Sequence, residues 1–266
     1  SVGSEMCIRD RPGTGKTKFV KDCLDILDTN RTRTEWIQFH SGFEYEDFID
    51  GIKPIDIQNR NLKLDLTSGI FKEFCLKAAQ NLNENFFFIV DEINRADIAA
   101  VFGETLSLLE ENYRGKSIKT KNYALSKQEF SIPSNVYFIG MMNDVDKSID
   151  CFDLALRRRF AWVLMECNYD VVENATDEAY KTKCKNLNQY ITGKTYELNG
   201  KQEQDGLNLG RAYEIGHSYF LKKETTDEKE IWDRHIEPIL REYIRTQFGD
   251  GEVEKKLETA KKIFVG

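Results

Sequence analysis

The sequence predicts an α/β fold: a parallel sheet with helices on both faces, followed by a smaller, mainly helical domain. Three observations carry this expectation. Phe86–Val90 and Val136–Gly140 are short apolar runs of the kind that fill a sheet buried on both sides. Amphipathic helical segments alternate with such runs. Pro12–Thr17, PGTGKT, is a glycine-rich turn opening a helix, the core of a phosphate-binding loop.

The elements follow in order. Lys16 to Leu27 reads as the helix after the loop, with Phe19, Val20, Cys23, Leu24 and Leu27 at helical spacing. Trp36–Phe39 is a short strand, and the aromatic, acidic stretch HSGFEYEDFIDGIKP follows it. Its Phe39, Phe43, Tyr45 and Phe48 suit an oligomer interface, a central pore or the domain core, the commonest fate of such side chains. Leu62, Leu64 and Leu66 alternate with polar residues as a strand or hairpin arm does, and Ile70, Phe71, Phe74, Cys75 and Ala78 mark an amphipathic helix. Phe86–Val90 ends in Asp91-Glu92, and Ala96 to about Asn112 is expected to be helical. Lys116–Gln128 is polar, a loop or hairpin; Val136–Gly140 runs into MMND; Asp153–Arg158 is a short helix and Phe160–Met165 a last strand. Beyond Cys167 the chain turns polar, with helices and a variable insertion over residues 168–212. Ile231–Phe248 carries Trp232, Ile236, Ile239, Leu240 and Tyr243 at helical spacing. The expected division is a nucleotide-binding αβα domain over residues 12–166 and a helical lid over 167–266.

Residues 1–11, SVGSEMCIRDR, read as non-native text. A parallel central strand is nearly all apolar, whereas this stretch carries Ser1, Ser4, Glu5, Arg9, Asp10 and Arg11, and resembles translated sequencing-adaptor text. The full loop pattern G-x-x-x-x-G-K-[ST] also puts glycine where Asp10 stands. The first strand is therefore expected to be missing or replaced.

With 266 residues, 40% apolar and 31% charged, the chain suits one large globular domain or one plus a smaller one. No apolar run approaches a membrane span and no signal peptide is evident, so a cytoplasmic protein without membrane contact is expected. Cys7, Cys23, Cys75, Cys151, Cys167 and Cys184 lack C-x-x-C spacing and read as reduced thiols. His40, His217 and His235 are too dispersed for a zinc site. A net charge of −7 excludes a broadly basic nucleic-acid surface, though not contact by a few loops or through a partner.

The chemistry concentrates in a few places. In the loop, Gly13 and Gly15 let successive backbone N–H groups turn inward around phosphate oxygens, with Pro12 and Thr14 completing the turn. Lys16 reaches the β and γ phosphates and the Thr17 hydroxyl ligates Mg²⁺. Asp91, at the carboxyl end of a hydrophobic strand, can hold the same ion, and Glu92 can polarise the attacking water. An acid pair at a strand end also serves as a helix cap; the upstream loop favours the metal-and-water reading. Asn143 ends the next strand, where an amide can hold water or the γ-phosphate without adding charge; alone, such an Asn is more often a turn residue. Arg157, Arg158 and Arg159 form a solvated face or a cationic helix end, or supply an arginine finger to a neighbouring subunit, with Arg158 or Arg157 favoured.

PGTGKT, IQFHSGFEYEDFIDGIKP, FFFIVDEINRADIAAVFGETLSLLEE, FIGMMNDVDKSIDCFDLALRRRF and GHSYF, in this order over Pro12 to Phe220, resemble the AAA+ motor subunits of McrBC-type restriction systems, the McrB family. IWDRHIEPILREY resembles that family's lid. The resemblance implies an αβα domain and a helical lid with nucleotide between them, Mg²⁺, and a ring, usually hexameric. It implies GTP as substrate in McrB itself and ATP in other branches. It further implies a McrC-like nuclease partner and DNA reached through that partner or through a domain upstream of this segment. Asn143 and Asp146 match the family's signature loop, which positions catalytic water; Lys147 stands where many members have Arg. His217 and Ser218 of GHSYF either sense nucleotide from the lid or belong to a packing motif with Tyr219 and Phe220. The alternative function is that of a MoxR-like AAA+ ATPase that remodels protein partners.

Overall fold

The computed structural model describes residues 5–11, 13–58, 61–143 and 154–266. Contacts divide them into two compact units. One holds Val20–Leu164 with the strand residues up to Arg9; the other holds Asp10–Phe19 with Met165–Gly266.

The first unit is built on β1 (Glu5–Asp10), β2 (Thr34–Gln38), β3 (Asp50–Gln58), β4 (Asn61–Ser68), β5 (Phe86–Asp91), β6 (Val136–Asn143) and β7 (Ala161–Met165). Its helices are α1 (Lys16–Leu27), which begins in the second unit, α2 (Tyr45–Phe48), α3 (Ile70–Ala79), α4 (Ile98–Phe102), α5 (Tyr123–Ser126) and α6 (Leu154–Arg157). The main sheet has the order β2-β5-β6-β1-β7. β5 runs parallel to β2 and to β6, with Thr34 opposite Phe87 and Phe86 opposite Val136. Side chains of a strand alternate between faces. Because both faces of β5 are covered, Phe86, Phe87, Phe88, Ile89 and Val90 are all buried, which is why the sequence there shows an unbroken apolar run.

The core beside this strand is aromatic. Phe48 stacks on Phe71 at 4.7 Å, Phe71 meets Phe88 edge-on at 4.8 Å, and Phe102 meets Phe48 edge-on at 4.8 Å. Each such pair contributes ~1 kcal/mol beyond the area it buries. Phe39, Tyr45 and Phe48 lie in this core and are buried, with Phe43 packed against them. Of the fates open to the aromatics of HSGFEYEDF, the structure gives core to Phe39, Tyr45 and Phe48, with Phe43 partly buried against it.

Of the two expectations for the first strand, missing or replaced, the structure excludes the first: Glu5–Asp10 takes the place between β6 and β7. Cys7 and Ile8 are buried, and Glu5 is buried as the acceptor of the Arg114 guanidinium, whose Nε donates at 2.7 Å. That partner neutralises the charge that made the segment read badly as a strand. The helix expected from Ala96 to Asn112 is broken into α4 and two 3₁₀ turns, Gly103–Leu109 and Glu111–Tyr113. Gly103 has φ of +52°, in the left-handed half of the map where glycine is at home, and it ends α4.

β3 and β4 pair antiparallel as a hairpin, with Asp50 opposite Ser68. At the hairpin's base Asp50 is fully buried: Lys72 Nζ of α3 donates to its Oδ2 at 2.6 Å, and Asn122 Nδ2 to its Oδ1 at 2.7 Å.

The second unit holds α7 (Tyr169–Ala175), α8 (Glu178–Thr192), the small hairpin β8 (Tyr196–Leu198) and β9 (Lys201–Glu203), α9 (His217–Phe220), α10 (Glu228–Ile231), α11 (Glu237–Phe248) and α12 (Val253–Phe264). A π-helical turn, Trp232–Ile236, joins α10 to α11. The helices start on side-chain caps: Asn168 Oδ1 accepts from the N–H groups of Asp170 and Val171, and Asp177 from that of Tyr180. Gly193, left-handed, ends α8. Leu187, Phe220, Trp232, Leu240 and Phe264 fill the core. No described helix is long and apolar enough to cross a membrane.

Candidate functional site

β5 and β6 lie side by side and parallel, so their carboxyl ends open at the same edge of the sheet, where such sheets present groups to ligands. Asp91 closes β5, and its Oδ1 accepts the Glu92 N–H at 3.0 Å. Glu92 is left-handed, φ +51° and ψ +42°, an uncommon conformation for a residue with a Cβ. That turn leaves the Glu92 side chain 17% exposed, and Asn143, the last residue of β6, donates its Nδ2 to Glu92 Oε1 at 3.1 Å. Arg95 Nε donates to Oε2 at 3.3 Å. Both carboxylate oxygens are thus held, which fixes the plane of the group. Non-glycine residues in sparsely populated conformations cluster at functional sites, where surrounding contacts over-determine them.

The phosphate loop lies in the second unit. Gly13 and Gly15 have φ of +81° and +80°, a backbone that turns N–H groups into an anion-binding concavity. The GHSYF segment is wrapped on it. Ser218 N–H donates to Gly13 O at 2.8 Å. A Cβ on Gly216 would stand 2.1 Å from the Gly13 carbonyl carbon, and one on Gly13 would stand 2.4 Å from the Tyr219 ring. Gly13 is therefore required by close approach and by conformation, and Gly216, whose backbone is extended, by close approach alone.

The His217 ring faces Gly15: its Nε2 lies 3.5 Å from where a Gly15 Cβ would be. Its Nδ1 accepts the Asn168 N–H at 3.2 Å. Burial pushes the imidazole below its ordinary pKa, so the ring is neutral near pH 7 and the proton rests on Nε2, toward the loop. Tyr219 continues to His235 in the π-helical turn, with ring centroids 6.5 Å apart. Phe220 is fully buried. The motif accordingly combines a packing half and a polar half.

Lys16 is half-buried and Thr17 exposed, in the first turn of α1. Arg157 ends α6, and Trp162 Nε1 donates to its carbonyl at 2.7 Å. Arg159 pairs with Glu110 at 2.8 Å and is 11% exposed, whereas Arg158 is 69% exposed and 3.7 Å from the same carboxylate. Pro12 and Asp146 lie outside the described residues, as does Lys147. Sequence reading did not find Arg95, Glu110 or Asn168. Only Asn168 carried a signal, as a helix cap two residues ahead of an acid.

The parallel sheet with its helices and the helical second unit define a class, an AAA-type phosphate-loop αβα domain with a lid. The model of the AAA domain (dynein-related subfamily) matches residues 6–160, and that of the McrB alpha-helical lid domain matches residues 184–250. The chain is 33% identical over 254 residues to the EcoKMcrB subunit of the type IV methyl-directed restriction enzyme of Escherichia coli K12, covering 91% of this chain and 54% of that protein. It is 25% identical over 276 residues to YdiS, a component of the type II restriction enzyme BsuMI of Bacillus subtilis 168, covering 89% of this chain and 76% of that one. The chain spans about half the length of the Escherichia coli relative. It belongs to the AAA domain family, dynein-related subfamily, in its McrB-type branch.

Proposed function

We propose that the chain hydrolyses a nucleoside triphosphate, GTP or ATP, as the ring-forming motor subunit of a McrBC-like restriction system. In this reading a separate McrC-like nuclease cuts DNA, the ring is hexameric, and the complex is cytoplasmic. The observation that carries the reading is the Asn143–Glu92 hydrogen bond at the carboxyl edge of two parallel strands. It supports the Glu92 carboxylate as the group that polarises water, beside Asp91 as the proposed metal-binding acid. The match to the McrB lid supports a restriction motor over a MoxR-like chaperone.

Among the described residues no group of three or more His, Cys, Asp or Glu side chains is placed to hold a metal. In this reading the Thr17 hydroxyl and the Asp91 carboxylate would hold Mg²⁺, since each is a hard oxygen donor of the kind that ion takes. When bound, it would supply charge neutralisation of the triphosphate. The chain's own groups do the rest. Loop N–H groups and Lys16 hold the phosphates. Glu92 accepts a proton from water, oriented by Asn143 and Arg95. His217 donates Nε2–H toward the loop. An arginine, Arg158 or Arg157, reaches a neighbouring subunit's γ-phosphate; the role of Asp146, outside the described residues, rests on the family resemblance alone.

Two outcomes test this. Lys16→Ala is expected to weaken nucleotide binding by about 3 kcal/mol, over a hundredfold, since charge-assisted hydrogen bonds to phosphate are among the strong ones; equilibrium binding of a fluorescent nucleotide reads it, and unchanged affinity would refute the loop assignment. Arg158→Ala is expected to leave binding intact and lower assembly-dependent hydrolysis at least tenfold. Mixing it with Glu92→Gln subunits should restore part of the rate, and no recovery would count against action between subunits.

A further inference from the structure

We infer that the segment from Arg114 to Lys127 is a docking surface for the sugar-phosphate backbone of duplex DNA. The segment RGKSIKTKNYALSK holds Arg114, Lys116, Lys119, Lys121 and Lys127 and no carboxylate, in a chain whose net charge is −7. Arg114 is turned inward to Glu5. The four lysines are exposed. Three of the ammonium groups lie over rings: Lys116 over Tyr113 at 4.7 Å, Lys119 over Tyr123 at 4.8 Å and Lys121 over Tyr45 at 4.1 Å. The acids at hand are few. Glu111 and Glu129 bracket the segment, and Glu46 is 3.9 Å from Lys121. Lys121 is thus paired with Glu46, and Lys116, Lys119 and Lys127 are the exposed charges of the run that a polyanion would meet.

The backbone beneath is held in place. Ile118 and Phe130 exchange both N–H···O bonds at 2.9 Å, and Gly115 N–H donates to Ile132 O at 2.8 Å. Lys121 N–H donates to Glu104 at 2.6 Å, and Asn122 is tied to the buried Asp50. A surface already ordered loses little entropy when a partner arrives. Exposed lysines on an ordered backbone match a polyanion in charge. Duplex DNA carries one phosphate per ~1.7 Å of axis. The choice of DNA among polyanions rests on the restriction-motor reading; the lysine surface does not.

The test uses the whole chain without nucleotide, so that its outcome is separate from hydrolysis. Anisotropy of a short fluorescein-labelled DNA duplex of mixed sequence is followed at several salt concentrations. The variant carries Lys116→Gln, Lys119→Gln and Lys127→Gln together. A control carries Lys201→Gln, Lys229→Gln and Lys255→Gln, three exposed lysines of the second unit, with the same change in charge. Each phosphate contact contributes about 0.9 to the salt slope, so the loop variant should lose ~2–3 from the slope and at least about tenfold in affinity at low salt. The control should lose under about twofold. The inference is overturned by a chain that binds no duplex at low salt, by equal losses in variant and control, or by an unchanged slope. Binding of polyglutamate with lysine dependence, and not of duplex, would assign the surface to an acidic protein and likewise overturn it. Circular dichroism of the variant matching that of the parent keeps a folding defect from imitating the loss.

Discussion

Glu92→Gln is expected to bind nucleotide as the parent does and to hydrolyse it roughly 10²–10⁴-fold more slowly, the range in which a positioned general base acts. The change is nearly isosteric, and the amide oxygen can still accept from Asn143 Nδ2, which now meets Glu92 Oε1 at 3.1 Å. The left-handed turn at residue 92 is kept, because its φ of +51° is fixed by the strand end and not by the carboxylate's charge. What disappears is the capacity to take a proton from water and the ion pair with Arg95. Binding of a labelled nucleotide and release of inorganic phosphate, measured on the same preparation, separate the two effects. Turnover within a few-fold of the parent would remove Glu92 from the role of base. Glu92→Ala is a poorer probe, because it also strands the Asn143 donor.

Asp50→Ala is expected to destabilise the chain by ~3–5 kcal/mol, the cost of leaving one member of a buried ion pair without its partner. The Lys72 and Asp50 side chains are 4% and 1% exposed, so water cannot replace the lost carboxylate. Asn122 loses its side-chain acceptor as well. Urea unfolding followed by circular dichroism should show the midpoint falling accordingly. The double replacement Asp50→Leu with Lys72→Met should recover most of the loss, since apolar groups of similar volume often match or exceed a buried pair. A single-variant loss below about 1 kcal/mol, or no recovery in the double variant, would show that the pair is not an isolated buried charge couple.

Legibility in the sequence followed the range of the interactions. β5 was plain because its partners on both faces are apolar and its own run needed only apolar residues. The amphipathic faces of α1 and α3 were plain for the same local reason. β1 was not, because the charge of Glu5 is cancelled by Arg114, 109 positions away, a pairing no local pattern carries. The break after α4 depends on a single glycine, Gly103, in a stretch with sound helical spacing. The candidate site residues are legible as residue types at strand ends and in the loop. Their arrangement is not. Neither the left-handed turn of Glu92 nor its hold by Asn143 leaves a trace in residue order. His217 was visible as part of GHSYF, whereas its tautomer depends on an N–H from Asn168, which only the folded unit brings near.

The grip of GHSYF on Gly13 has a mechanical consequence. Because Ser218 bonds the Gly13 carbonyl, and Tyr219 lies between that glycine and His235 in the π-helical turn, the loop's shape and the register of the C-terminal helices form one linked variable. Strain introduced at the anion cradle reaches Trp232 and α11 through side chains of the same body, with no need to cross the sheet. With Trp36 and Trp162 replaced by Phe, indole emission from Trp232 is the expected readout of strain at the Gly13 turn.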